Sequence, residues 1–528
     1  MDKLERLTTL FSGGKIDRRE FIARVSALGA AAMIPSILSA TPANAAPKKG
    51  GRLRIGCGGS SLTDVLDPAL IYDIMAPVVS YGLIRDCLVG IDENSRLVPE
   101  LAESWEAEPD AKVWKFNLRK GVEFHNGKTF TSEDVLASIN HHRTEDSKSI
   151  FKSLAKQIVD VKADGKYAVI FTLEGGNADF PFALSDQHVS MFPAGTTDFS
   201  KGMGTGPYIL QQWEPGVRAL TKRNPNYFKT NCAYFDEVEV IALNDVTART
   251  NALRTGQVDV INRCERKTFH LLERLPNIQP VVQNGMRHYC FAMRTDIAPF
   301  NDNNLRMAMK HAINREDIVK TILMGYGEVG NDHPISKLNK FYNKSLPQRK
   351  YDPEKVKFYL KKAGLDNFSV SLHAANVAFE GAIDAAVLYK EHAAKAGIDL
   401  KVVREPNDGY WSNVYKKVPF FATYWSGRPT EDWMFTDAYA EDAAWNETYW
   451  KNKRFNELLK AGRAELDETK RAQIYGEMQQ LVRDDCGEIV MAFSSDLHAA
   501  SKKLKVPATV AANWELDGFK IGQRWSFA

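Results

Sequence analysis

Residues 113–135 read VWKFNLRKGVEFHNGKTFTSEDV, and this stretch decides the fold class because a strand pattern passes directly into the start of a helix. Trp114, Phe116 and Leu118 alternate with polar residues, which is typical of a strand with one buried face. Thr131 then provides a hydroxyl cap, and two acidic residues follow in the first helical turn. The stretch therefore predicts a β-strand followed by an α-helix.

The same succession of strand and helix patterns continues on both sides of this stretch. Apolar positions at helical spacing, capping residues and glycine stops predict helices at 305–313, 352–364 and 382–397. Short β-type runs at 53–57 and 238–243 predict strands. Because strands and helices alternate through the chain, the predicted fold class is α/β.

Length and charge limit the class of protein further. The chain has 528 residues, which predicts at least two lobes with separate cores, since one domain holds about 100–200 residues. Lysine and arginine together number 69 against 66 acidic residues, a net charge of +3. No basic stripe suited to nucleic acid stands out, so a nucleic-acid partner is not expected.

The first 45 residues are predicted to be a secretory signal peptide. Twin arginines at 18–19 precede an apolar stretch at 25–38 and a small-residue site at 43–45, an order that resembles a twin-arginine export signal. The alternative, a membrane anchor, needs about 18 uninterrupted apolar residues, and Pro35 breaks this run. No cysteine precedes Cys57, so a lipid anchor is not expected. The predicted location is the periplasm, with the protein soluble after cleavage.

The sequence lacks the common signatures of catalysis, metal binding and cofactor binding. It has no nucleophile elbow, HExxH motif or P-loop. Gly325–Gly330 matches GxGxxG, but it follows a helix pattern, whereas a dinucleotide site follows a strand, so a loop is predicted. The six cysteines lack CxxC spacing, and they can form disulfides in an oxidising compartment or remain buried thiols. No catalytic residue, metal site or cofactor is predicted.

Several segments resemble the family 5 extracellular solute-binding proteins, the peptide, opine and nickel carriers of ABC importers. The segments occur in the order found in that family and cover nearly all of the chain after the signal. They are LVPELAESW at 97–105, the stretch at 114–135, GTGPY at 204–208, WEPG at 213–216, RNPNYF at 223–228, ALRTGQVD at 252–259, the segment 299–327, YDPEKV at 351–356 and the segment 471–482.

The resemblance implies an α/β clamshell of the large, cluster-C-like periplasmic-binding-protein type, with the ligand cleft between two lobes. It implies one lobe formed by residues 46–290 and 491–528 and a second lobe formed by residues 291–490. Crossover strands near 288–293 and 489–493 would join them. It also implies a monomeric binding protein, not an enzyme, that captures a small peptide-like or opine-like solute and delivers it to ABC permease subunits.

The candidate ligand-binding residues combine aromatic faces, polar groups and positions next to strand ends. They are Tyr424, Trp425, Ser426, Gly427, Arg428, Glu431 and Asp432 in one segment, Trp411 and Asn446 in the same lobe, and Leu62 and Thr63 after the first strand. Aromatic rings supply apolar area, and the arginine fork matches a carboxylate or phosphate. The alternative is that Trp425 and Trp433 are packing residues while Arg428 and Glu431 pair on the surface.

In peptide-binding relatives, the segment that resembles 425–428 reads roughly Trp-x-Gly-Asp, and its acid holds the α-ammonium of the peptide. Arg428 stands at that position here, which predicts a solute with an acidic group, read by Arg428 and framed by Trp425. A shifted register leaves Glu431 or Asp432 to replace the acid. Two other classes remain open: a periplasmic hydrolase on an α/β scaffold, and a ligand sensor or chaperone with the same clamshell.

Overall fold

The computed structural model describes residues 47–365 and 368–528, and the predicted signal peptide at 1–45 lies outside this part of the chain. Residues 49–528 form one compact unit. Strands and helices alternate along it, which confirms the predicted α/β class.

The strands, in chain order, are β1 (Arg52–Cys57), β2 (Val89–Ile91), β3 (Leu97–Pro99), β4 (Ala102–Ala107), β5 (Val113–Leu118), β6 (Ile158–Ala163), β7 (Ala168–Leu173), β8 (Tyr208–Glu214), β9 (Arg218–Arg223), β10 (Glu237–Ala242), β11 (Val260–Ile261), β12 (Ile278–Gln283), β13 (His288–Met293), β14 (Gly327–Val329), β15 (Phe368–Ala374), β16 (Ile398–Arg404), β17 (Phe420–Trp425), β18 (Glu488–Ser494), β19 (Asp496–Ser501), β20 (Leu504–Lys505) and β21 (Ser526–Phe527).

The helices of seven or more residues are α1 (Ser132–Arg143), α2 (Val246–Arg254), α3 (Asn303–His311), α4 (Arg315–Thr321), α5 (Pro353–Lys362), α6 (Ala382–Lys395), α7 (Glu431–Ala438), α8 (Lys453–Ala464) and α9 (Glu468–Asp485). Shorter α-helical segments are Met75–Val79, Lys152–Ala155, Phe180–Ala183, Phe269–Leu272, Tyr410–Asn413, Glu515–Gly518 and Ile521–Arg524.

Two large sheets carry most of the strands. The first sheet has the order β12-β19-β11-β1-β10-β9-β8, and the second sheet has the order β14-β18-β13-β17-β15-β16. In the first sheet, β1 runs parallel to β10 and β11, so the carboxyl ends of these three strands meet at one edge. A third sheet, β4-β5-β7-β6, is antiparallel throughout.

Local chemistry explains why the predicted elements form. β5 buries Trp114, Phe116 and Leu118 on one face, as the alternation predicts. Thr131 caps α1, and the carboxylate of Asp134 accepts a hydrogen bond from the Thr131 amide at 2.9 Å, which closes the capping box. Both β13 and β18 are buried along their whole length, which agrees with their continuous apolar runs.

Two short segments connect the first sheet to the second, and they are called the crossover segments. Residues 284–287 connect β12 to β13, and Ser495 connects β18 to β19. Because β13 and β18 are antiparallel neighbours, the two segments lie side by side. The Ser494 amide donates a hydrogen bond to the carbonyl of Arg287 at 2.8 Å and ties them together. The strands predicted near 288–293 and 489–493 are present as β13 and β18.

Part of the predicted loop at Gly325–Gly330 is instead a strand. Gly327–Val329 form β14 and pair with β18 at the edge of the second sheet, a long-range contact that the local pattern does not encode. No helix directly follows this strand, so a dinucleotide-binding site remains excluded here. All six cysteines are free thiols, and five of them are buried. Within the described residues, helices long and apolar enough to cross a bilayer are absent.

Candidate functional site

The carboxyl edge of the first sheet carries the loop that follows β1. The Gly58 amide donates to Asn262 Oδ1 at 2.7 Å, which ties this loop to the end of the neighbouring strand β11. Ligands of α/β proteins commonly bind at such an edge. In the loop, Leu62 is 78% exposed and Thr63 is exposed as well. Thr63 Oγ1 lies 2.8 Å from Ser61 Oγ. The two residues predicted here are therefore open to solvent.

The pairing of β13 with β17 decides which side chains share a face of the second sheet. The strands are antiparallel, with Tyr289 opposite Tyr424 and His288 opposite Trp425. Directly opposed residues point to the same face, and successive residues point to opposite faces. Tyr289 and Tyr424 therefore share one face. Arg287, two residues before Tyr289, belongs to that face as well, whereas Trp425 belongs to the other.

Four aromatic rings, two partly exposed and two buried, cluster on the face that carries Tyr424. Trp411 and Tyr424 are 40% and 39% exposed, and their ring centroids are 6.0 Å apart. On the same face Tyr289 stacks on Phe379 with the centroids 4.4 Å apart. We call these four residues the aromatic patch. Two predicted residues, Trp411 and Tyr424, thus lie together and offer apolar area to an organic ligand.

Trp425 and Asn446, also predicted, have their polar atoms bonded inside the protein. Trp425 is 7% exposed, and its indole Nε1 donates to Glu447 Oε1 at 3.0 Å. Burial and the neighbouring Glu488 raise the pKa of Glu447 well above its usual value. The buried amide of Asn446 donates to the Trp450 carbonyl at 2.8 Å. These contacts support the wall of the second sheet from behind.

The loop after β17 contains Ser426, Gly427 and Arg428. Ser426 is exposed. A Cβ on Gly427 would overlap the Cβ of Met286, so the loop passes directly against the first crossover segment. Arg428 Nε donates to Asp437 Oδ2 at 2.9 Å, and its Nη1 donates to the Ser426 carbonyl at 3.0 Å. The charge of Arg428 is therefore paired within its own segment.

Glu431 and Asp432 lie in the first turn of α7 and are buried. Glu431 accepts a hydrogen bond from the Phe341 amide at 2.6 Å, and Asp432 lies 3.2 Å from Arg463. Burial raises the pKa of Glu431 to about 7 and that of Asp432 to about 6. Glu431 does not pair with Arg428, the surface pairing weighed from the sequence. Both carboxyls lie in contact with other parts of the protein and not in open solvent.

Four charged residues between the two sheets did not emerge from the sequence. Arg263 Nε donates to Glu515 Oε1 at 2.8 Å, and Arg287 Nη1 lies 3.6 Å from Asp496 Oδ1. Arg287 directly precedes β13, and Asp496 directly follows the second crossover segment. The sequence does show one charged residue next to each of the two apolar runs. It does not show that these two residues are neighbours, because that depends on how the strands are ordered in the sheets.

Arg287 and Asp496 are partly buried but remain accessible to water. Burial opposes the charge on Arg287, but Asp496 and other neighbours raise its pKa overall. Burial raises the pKa of Asp496, and Arg287 opposes this shift. Nevertheless 39% and 23% of the two side chains remain accessible to solvent. Both groups are thus partly desolvated and still reachable from solvent, as expected of charges that could meet a small ligand.

An open surface groove lies elsewhere, on the first sheet's helices. It has a volume of about 330 Å³ and lies between α2 and residues 265–275. Its lining contains none of the predicted ligand residues and none of the four charged residues. The sheet edges that meet at the crossover segments therefore remain the better candidate for the ligand site, because aromatic rings and incompletely paired charges converge there.

Comparisons with known proteins agree with this architecture. Residues 96–447 match the family model for bacterial extracellular solute-binding proteins, family 5 Middle. A dipeptide-binding protein of Escherichia coli (strain K12) is 26% identical over 463 residues, covering 80% of this chain and 85% of the relative.

Solved structures confirm the periplasmic-binding-protein fold. The ABC transporter-associated periplasmic binding protein DppA from Helicobacter pylori, in complex with the peptide STSA, is 25% identical with a TM-score of 0.71, covering 91% of this chain and 98% of DppA. AgaA from A. tumefaciens R10, in complex with agropinic acid, is 24% identical with a TM-score of 0.69, covering 90% and 99%. Since the family model spans more than half of the sequence, the chain belongs to the bacterial extracellular solute-binding proteins of family 5.

Proposed function

We propose that the chain is the periplasmic substrate-binding component of an ABC importer. It captures a peptide-like or opine-like organic solute and delivers it to permease subunits without transforming it. Membership of family 5 supports this role. The observation that carries the proposal is the convergence of the aromatic patch with charged side chains where the two large sheets meet.

The proposal divides the chain into two lobes with the cleft between them. One lobe comprises residues 46–290 and 491–528, and the other comprises residues 291–490. The sheet membership supports this division to within a few residues, because β1, β8 to β12 and β19 belong to the first sheet and β13 to β18 belong to the second. The proposed boundaries fall inside β13 and β18, near the crossover segments. Export by the signal at 1–45, cleavage in the periplasm and a monomeric state complete the proposal.

The solute is proposed to be an amphipathic molecule with an acidic group. Trp411 and Tyr424 of the aromatic patch offer ring faces to its apolar part, and the arginines near the cleft offer planar donors to its acid. The structures of DppA and AgaA contain a peptide and agropinic acid, and both of these ligands carry an acidic group. Arg428 and the loop at Leu62 and Thr63 remain candidates for further contacts.

Mass spectrometry of solutes released from gently purified mature protein tests this function. We expect an organic solute to be released on denaturation and to rebind to the emptied protein. Rebinding at 100 times the dissociation constant should raise the free energy of unfolding by about 2.7 kcal/mol, because the solute binds only the folded state. Small-angle scattering should show a smaller radius of gyration with the solute. Unchanged chemistry of the solute after incubation is expected, and turnover of the solute would contradict a pure carrier role.

A further inference from the structure

Arg287 has the least satisfied guanidinium among the arginines that face the cleft. Within the described part of the chain, no residue accepts a hydrogen bond from it, and its ion pair with Asp496 spans 3.6 Å. By contrast, Arg263 is bonded to Glu515 at 2.8 Å and lies 3.3 Å from Asp73. Arginine carries five donors in a rigid fork, so Arg287 retains donors for a ligand.

The strand register places Arg287 on the same sheet face as the aromatic patch. The register of β13 with β17 places Arg287, Tyr289 and Tyr424 on one face of the second sheet. Continuing the same register by one residue places Arg287 opposite Ser426, which is exposed. The electrostatic neighbours of Arg287 come from both sheets, since they include Tyr289 in the second and Asp496 in the first. A solute in the cleft would meet rings and guanidinium together.

We propose that Arg287 binds the carboxylate, or a similar oxyanion, of the solute at the junction of the two crossover segments. The proposal rests on the proposed function and names the charged part of its substrate. Asp496 keeps the guanidinium in place while the cleft is empty, because a 3.6 Å ion pair orients the charge without using its hydrogen-bond donors. Arg428 is the competing candidate, but its Nε and Nη1 are already bonded to Asp437 and the Ser426 carbonyl.

Calorimetric titration with matched acid and amide probes tests the proposal. Two probe pairs each match an acid with a neutralised form: Ala-Phe with Ala-Phe amide, and glutathione with its dimethyl ester. Agropinic acid is a fifth, unpaired acidic probe. The wild type is expected to bind the acid of a pair about tenfold tighter than its neutral partner, the effect of one favourable charge contact. Arg287→Ala should weaken binding of the acid by about thirtyfold or more and leave the neutral partner within a few-fold. Arg287→Lys should keep part of the preference, since it retains the charge without the fork.

Two further variants separate a ligand contact from a structural role. Asp496→Asn should strengthen binding of the acids, because it removes the carboxylate that competes for Arg287, and a fold defect cannot produce this sign. Arg294→Ala is the matched control, since Arg294 follows the far end of β13 and pairs with Asp296 at 2.7 Å. It should leave the acid preference unchanged. Circular dichroism and the melting temperature of each variant check that it folds.

The outcomes also distinguish this proposal from the proposed function. A wild type that binds no probe and releases no solute contradicts both. A wild type that binds, with the acid preference kept in Arg287→Ala or lost in Arg428→Ala instead, overturns the assignment of Arg287 and leaves the carrier function standing. Release of a solute that carries no anionic group would overturn it as well.

Discussion

Gly427 shows at the scale of one residue how the candidate cleft is held together. A Cβ at this position would overlap the Cβ of Met286 and lie 2.9 Å from its Cα, so only glycine lets the loop approach the first crossover segment. The sequence pointed to Gly427 as a ligand-binding residue. The structure supplies a different physical reason for glycine here, and this reason involves Met286, whose proximity no local pattern reveals.

Gly427→Ala is therefore expected to destabilise the protein by about 1–3 kcal/mol through overpacking. The expected readout is a lower melting temperature, together with weaker solute binding because the loop moves away from Arg287. Gly175→Ala is the matched control, since a Cβ there meets no atom within 4 Å and the backbone of Gly175 does not have a positive φ. Equal melting temperatures for the two variants would contradict the close approach.

At the scale of one element, helix α7 shows what the sequence predicts and what it leaves out. Local capping chemistry is readable, as Thr131 at α1 and the Asp352-Pro353 start of α5 demonstrate. The acids Glu431 and Asp432 have the usual place in a first helical turn. Their burial against other parts of the chain depends on tertiary packing, so the sequence suggested ligand contacts where the structure has buried carboxyls.

These carboxyls should make stability depend on pH in the direction opposite to an ordinary ion pair. Burial raises the pKa of Glu431 from 4.5 to about 7 and that of Asp432 from 3.8 to about 6. The folded protein then binds these protons more tightly than the unfolded chain, so the free energy of unfolding falls as pH rises from about 4 to about 7.

Glu431→Gln should reduce this fall by about 1–3 kcal/mol, since one pKa unit corresponds to about 1.4 kcal/mol. Urea unfolding between pH 4.5 and 7.5 measures it. Glutamine keeps an acceptor for the Phe341 amide. Glu441→Gln is the control, because Glu441 is exposed. A slope that is the same in wild type and Glu431→Gln would show that Glu431 does not titrate in this range.

At the scale of the whole molecule, a loop next to the third sheet contacts helices α8 and α9. The Ala178 amide donates to the Arg463 carbonyl at 2.7 Å, and Asp179 pairs with Arg471 at 2.7 Å. Only 9% and 7% of the Asp179 and Arg471 side chains are accessible. In the proposed division, this contact joins the two lobes away from the crossover segments. The family resemblance predicted a clamshell. It did not predict these particular contacts, because they join residues far apart in sequence that only the folded structure brings together.

Asp179→Ala should lower the free energy of unfolding by about 3–5 kcal/mol, because it leaves the buried charge of Arg471 without its partner. With saturating solute, which favours the closed lobes, we expect a lower melting temperature and a larger radius of gyration by small-angle scattering. Glu477→Ala is the matched control, since the Arg454–Glu477 pair is equally short at 2.7 Å but both side chains are largely open to solvent. Such an exposed pair contributes about 0–1 kcal/mol. Equal effects of the two substitutions would argue that the Asp179 contact does not hold the lobes together.

The side-by-side crossover segments also have a consequence for the order in which the protein would respond to the charge and to the size of a solute. Two adjacent connections define an axis, and a rotation displaces atoms near that axis far less than atoms remote from it. In the proposed clamshell, Arg287 and Asp496 flank the connections and would keep their arrangement as the lobes separate, whereas the more remote Ala178–Arg463 contact would break. On the proposed function, charge would be sensed at first encounter and would contribute to the association rate. Size and shape would be sensed afterwards, by whether the lobes can meet, and they would determine the residence time. A solute of suitable charge but excessive bulk would enter quickly and leave quickly.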